Sequence, residues 1–168
     1  MQRRSCLTLL SLSPVLGLTS CGFALRTAPN FAFTSLFFPL ADSSLLSAEL
    51  KRALESGGKV RVISDVRQID QAEVILDVLQ ERREKTAVAV NASGQVREFQ
   101  LRLRFSFKLR STKGKDLIPA TEIVQQRDIS FNESAVLAKE AEEGLLYRDM
   151  QSDIIQQIMR RLAAVAAL

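Results

Sequence analysis

Cys21 follows Leu18, Thr19 and Ser20 and precedes Gly22. Leucine, two small residues and cysteine at the end of an apolar run is the order in which a thiol takes diacylglycerol and cleavage leaves the cysteine first in the mature chain. The second chemistry-bearing group is cationic. Arg102, Arg104, Lys108 and Arg110 share one parity of an alternating run, and Lys113 and Lys115 follow in a turn. Clustered cations with little counter-charge between them suit phosphate oxygens. The same residues can also simply solvate the wet face of a strand and guard its edge.

The segment ahead of Cys21 has the layout of a secretory signal. Arg3 and Arg4 form a basic start, and Leu7 to Leu18 an apolar stretch interrupted by Ser11, Ser13 and Pro14, too short for a transmembrane helix. Residues 1–20 are therefore expected to be a signal peptide, 21–33 a lipid anchor and linker, and 34–168 a single domain. Cys6 would leave with the signal, so the mature chain would hold no pair of thiols. Removing Arg3 and Arg4 from 23 basic residues leaves 21 against 19 acidic ones, so the net charge falls from +4 to +2. Any basic function must then come from local clustering, and nucleic acid is not an expected partner.

Histidine is absent, which removes imidazole as general base or metal ligand and with it zinc sites of cysteine and histidine. No phosphate loop, dinucleotide fingerprint or nucleophile elbow is present. A carboxylate pair such as Glu142 and Asp149 would be needed for a hydrolase, and neither stands isolated on an apolar face. The chain is expected to be no enzyme and to carry no cofactor or metal.

The elements that would position the cations follow from periodicity. Thr34 to Leu40 and Lys59 to Ile63 read as short strands flanking a helix that Asp42, Ser43 or Ser44 caps and that runs through about Ser56, with Gly57 beyond. That spacing suggests two parallel strands. From Phe99 to Leu109 the odd positions are Phe99, Leu101, Leu103, Phe105, Phe107 and Leu109, in strict alternation with polar residues. One face is buried and the other wet. Val74, Leu76, Val78, Val88 and Val90 give a looser version around a charged middle from Glu81 to Lys85, and Asn91 to Gly94 turns the hairpin. A strand from Val96 to Arg110 would reach roughly 50 Å, so the hairpin ends are expected to project or curl. Ile123, Ile129 and Phe131 mark a third long strand. Leu146, Met150, Ile154, Ile158 and Leu162 recur every four residues in a final helix after Asn132, with Gly144 a place for a bend. The expected fold is α+β, a two-layer sandwich of two helices on a mixed four- to five-stranded sheet with a long antiparallel meander.

Four stretches carry a resemblance. They are Cys21-Gly22-Phe23-Ala24-Leu25-Arg26, Gly94-Gln95 with Glu98-Phe99-Gln100, Leu117-Ile118-Pro119, and Leu137-Ala138-Lys139-Glu140. In this order the chain resembles the LptE family of lipopolysaccharide-assembly lipoproteins. The turn at Asn91 to Gly94 lacks the basic residue that some members carry there.

The resemblance implies a protein held by the acylated Cys21 at the periplasmic face of the outer membrane. It would form a one-to-one complex with an LptD-like β-barrel, plug it and assist its assembly, and help deliver lipopolysaccharide to the outer leaflet. Gly22 fits that destination, because aspartate there is the usual signal for retention in the inner membrane. The lipopolysaccharide-binding candidates become Arg102, Arg104, Lys108, Arg110, Lys113 and Lys115, with Lys139 added by the Leu-Ala-Lys-Glu match. Leu117, Ile118 and Pro119 are the barrel-contact candidates, since apolar residues beside a proline at an exposed loop tip have no obvious core to join. The alternative is a lipid-anchored scaffold subunit of another envelope assembly or secretion machine.

Overall fold

The computed structural model describes residues 29–39 and 44–166. Cys21, the signal segment, linker residues 22–28 and the alternative caps Asp42 and Ser43 lie outside the described residues.

Ser44 starts helix α1 (Leu45–Glu55) by accepting the Ser47 N–H at 2.9 Å, while its own hydroxyl donates to Glu81 Oε2 at 2.6 Å. One side chain thus satisfies an orphan helix donor and fixes the helix to a strand. Leu46, Leu50 and Leu54 bury one face. The chain turns just past the helix at Gly58, whose φ of 63° a side chain would resist. On either side of α1 lie strands β1 (Ser35–Phe37) and β2 (Arg61–Ile63), parallel as expected but shorter than the apolar runs that announce them.

The meander follows as β3 (Val74–Val90), β4 (Val96–Ser111) and β5 (Asp116–Ser130). The sheet order is β2-β1-β3-β4-β5, with β1 parallel to β3 and the meander antiparallel. Leu101, Leu103, Phe105, Phe107 and Leu109 are fully buried beneath helix α2 (Val136–Ala163), whose Met150, Ile154, Ile158 and Leu162 pack on them. At ~1.5 Å per residue, α2 runs for roughly 42 Å and backs most of the strand length, so the long strands are supported by a helix. Gly144 does not interrupt it.

The even parity expected along β3 does not persist. A register shift between Val78 and Gln80 leaves Leu79 without a partner, and the residues facing the core change from Val74, Leu76 and Val78 to Glu81, Arg83 and Lys85. A one-residue shift exchanges the two faces of a strand. Val88 falls in a second shift and Val90 ends the strand, so both are exposed. The now inward Arg83 lies 5.0 Å from the Tyr147 ring centroid. Gln151, almost fully buried, completes this polar patch. With its amide set by hydrogen-bond logic, its oxygen accepts from Leu46 N–H at 3.2 Å and Arg83 Nη2 at 3.3 Å.

A 3-10 turn over Val66–Gln71, with no forewarning in the sequence periodicity, carries Ile69 onto a second small cluster of Phe37, Ile63, Ala72 and Ile75. Ile75 pairs with Arg110, so this cluster sits on the otherwise wet face of the sheet.

Candidate functional site

The four strand cations share the wet face of β4, as their parity requires, but carboxylates from the neighbouring strands meet them there. Register places Glu84 opposite Arg102 and Asp77 opposite Lys108. Glu84 lies 3.6 Å from Arg102 and 3.4 Å from Arg104, which also reaches Glu122 at 3.2 Å. Asp77 takes Arg110 at 2.7 Å and Lys108 at 3.7 Å. Asp77 beside Arg110 also raises that guanidinium's already high pKa, through the hydrogen bond first and the charge second. The face is therefore a ladder of mixed charge.

Lys113 and Lys115 are exposed in the β4–β5 turn, where Gly114 takes φ of 87°. The apolar triplet is placed differently from its expected loop tip. Leu117, Ile118 and Pro119 lie within β5, and Leu117 and Ile118 are half-buried against the main core. They have a core to join because β5 begins at Asp116, immediately after the turn.

Lys139 lies far from the other candidates. It donates to Ser130 Oγ at 3.0 Å and pairs with Glu142 at 2.8 Å, one helical turn away. Beside it the inward parity of β3 delivers Lys85, a residue that the sequence reading did not single out. Lys85 pairs with Glu143 at 2.7 Å and stands 4.5 Å from the Phe99 ring centroid. Phe99 meets Phe131 edge to face at 5.3 Å. These groups, with Ile129 and Val136, line a cavity of about 240 Å³ between the sheet and the first turns of α2. Two ammonium groups and an aromatic wall therefore converge, which suits an anion attached to hydrocarbon. Glu140 and Glu143 line the same cavity, so an incoming anion must displace Lys85 from Glu143 and Lys139 from Glu142. The signal that could have found Lys85 is its place in a charged run on an otherwise alternating strand. Its inward direction depends on the shift at Leu79. Among the described residues no cluster of acidic or thiol side chains could hold a metal ion.

The model of the lipopolysaccharide-assembly family LptE matches residues 33–162. The chain belongs to the LptE family. It is 29% identical over 155 residues to the LPS-assembly lipoprotein LptE of Pectobacterium atrosepticum, covering 90% of this chain and 81% of that one. Among solved structures, it is similar to an uncharacterized lipoprotein B of Nitrosomonas europaea, with 30% identity, a TM-score of 0.71, and coverage of 85% of this chain and 91% of the other. The rare lipoprotein B of Shewanella oneidensis, 18% identical with a TM-score of 0.62 over 78% of this chain and 95% of that one, shares the fold. Membership of LptE gives the chain a role in lipopolysaccharide assembly and a place among membrane-associated lipoproteins.

Proposed function

We propose that this LptE-family chain acts by binding, without catalysis, as a plug and assembly partner of an LptD-like outer-membrane barrel that helps pass lipopolysaccharide to the outer leaflet. Acylation of Cys21 would hold it on the periplasmic face of that membrane. The observation that carries the lipid part of this reading is the convergence of Lys85 and Lys139 on one cavity walled by Phe99 and Phe131. Lipopolysaccharide joins phosphates to acyl chains. Its phosphate would take the ammonium groups in exchange for Glu142 and Glu143, and its hydrocarbon the rings. The mixed ladder on the wet face of β4 supports the plug part, because paired charges suit the polar lumen of a barrel better than a lipid surface.

The test is equilibrium binding of lipopolysaccharide to the chain carrying Lys85→Glu and Lys139→Glu, beside Arg102→Gln. The cavity pair should weaken binding by about tenfold or more, as loss of charge-assisted contacts does. Arg102→Gln should leave it nearly unchanged. Equal effects from both would remove the cavity from the reading. Purification from outer membranes without a large barrel at one-to-one stoichiometry would remove the plug.

A further inference from the structure

The described domain is electrically polarised along its strands, and its cationic end is the one at which the chain enters. Hydrogen bonds align four segments at this end. Thr112 N–H meets the Glu73 carbonyl, Glu73 N–H the Ser35 carbonyl, and Arg61 N–H the Thr34 carbonyl. The β4–β5 turn with Lys113 and Lys115 therefore lies level with the start of β1 and with Arg61. The ends of both helices join them, since Pro29, Ala53, Ser56, Arg160 and Ala164 line one groove, and Lys59 donates to Asn30.

Arg52, Lys59 and Arg61 from the α1–β2 side are exposed, as are Arg160 and Arg161 at the end of α2. With Lys113 and Lys115 they outnumber the carboxylates of Glu55, Asp70, Glu73 and Asp116 nearby. None of these cations forms an ion pair among the described residues, in contrast to Arg102, Arg104, Lys108 and Arg110. Glu73 is already engaged by Thr34, whose N–H lies 2.7 Å from its carboxylate. The opposite end gathers Glu133, Glu140, Glu142 and Glu143, and its cations Lys85 and Lys139 are already paired with Glu143 and Glu142.

We propose that the cationic end seats on an anionic phospholipid bilayer surface. Charge complementarity selects the occupant, because a fixed set of unpaired Lys and Arg gains most from a surface of negative potential. Position selects it as well. Residues 21–28 can span at most roughly 28 Å, so an anchor at Cys21 keeps this end, and not the acidic one, within reach of the headgroups. Acyl chains and a basic surface are the two signals that together make anchoring firm. The proposal uses the acylation of Cys21 for the tether only. It is independent of the Lys85–Lys139 cavity.

The experiment uses the chain from residue 21 with Cys21→Ser, so that protein charge alone drives binding to vesicles of phosphatidylcholine with or without phosphatidylglycerol. Binding should require phosphatidylglycerol and weaken as salt rises. Lys113→Glu/Lys115→Glu and Arg160→Glu/Arg161→Glu should each reduce it by about tenfold or more, and Arg97→Glu, which reverses an exposed cation at the start of β4 at the opposite end, should bind as the parent does. Lys113→Gln/Lys115→Gln, confined to an exposed turn, should fall between parent and reversal with an unchanged circular dichroism spectrum. Equal binding to phosphatidylcholine alone, no loss on reversal, or an equal loss in Arg97→Glu would each overturn the proposal.

Discussion

The phenol of Tyr147 donates to the carbonyl oxygen of Glu84 at 2.9 Å, joining the middle of α2 to the backbone of β3 across 63 positions of sequence. Burial first, and the nearby Glu143 second, raise the pKa of this phenol above its ordinary value. The folded state therefore prefers the protonated form. Its contribution is complete below the unfolded tyrosine pKa of about 10 and is lost as pH rises through the folded value. Because Tyr147 is the sole tyrosine of the chain, phenolate absorbance reports it alone. The midpoint should lie above that of free tyrosine, and Tyr147→Phe should cost about 1 kcal/mol in urea unfolding at neutral pH.

Glu84 is shared by Arg82 at 3.5 Å, Arg102 and Arg104. Glu84→Gln leaves three guanidiniums without their common carboxylate. The expected loss is up to about 1 kcal/mol at low salt and less at high salt, because these groups are partly solvated. Arg102→Glu/Arg104→Glu should cost more, since the new carboxylates would face Glu84 and Glu122. Denaturant midpoints at two ionic strengths decide both.

Gly144 and Gly94 should respond oppositely to alanine. A Cβ at Gly144 meets nothing within 4 Å and the residue is helical, so Gly144→Ala should stabilise by about 0.5–1 kcal/mol. Gly94 has equal room but holds φ of 81° in the β3–β4 turn. Gly94→Ala should cost about 1 kcal/mol through backbone strain alone. Thermal melts of the two variants test the pair.

Phe105 is fully buried and Leu137 is 83% exposed. Phe105→Ala should cost about 3–5 kcal/mol by opening a cavity under α2, while Leu137→Ser should stay within about 0.5 kcal/mol. If Leu137→Ser instead unfolds the isolated chain, the described surface of α2 is incomplete.

The sequence made some features legible and hid others for physical reasons. The alternation from Phe99 to Leu109 foretold β4 and its buried face because side-chain direction along a strand is set locally. The four-residue recurrence from Leu146 to Leu162 foretold α2 on the same grounds. The shift at Leu79 left no such mark, since a bulge answers to the twist of the assembled sheet. The functional consequence was large. Without the shift Lys85 would point to water, and the cavity with Lys139 would lose one of its cations. The pairing of Asp77 with Arg110 and of Glu84 with Arg104 was hidden too, because cross-strand register joins residues that no local pattern relates. Lys139 was reached only through a family motif, and its own neighbourhood of glutamates suggested a plain helix pair, which the structure also contains.

β1 meets β3 through only two register pairs, Leu36 with Val74 and Phe37 with Ile75, whereas β3 and β4 are zipped along nearly their whole length. Tension on the chain ahead of Pro29 would enter the sheet at β1 and load that short parallel seam in shear. The meander and α2 lie behind it, joined to β1 by the core that Leu36 and Phe38 share with them. Were that chain tethered, a pull on it would reach the seam between β1 and β3 before the cavity at the far end, making the seam a mechanical fuse.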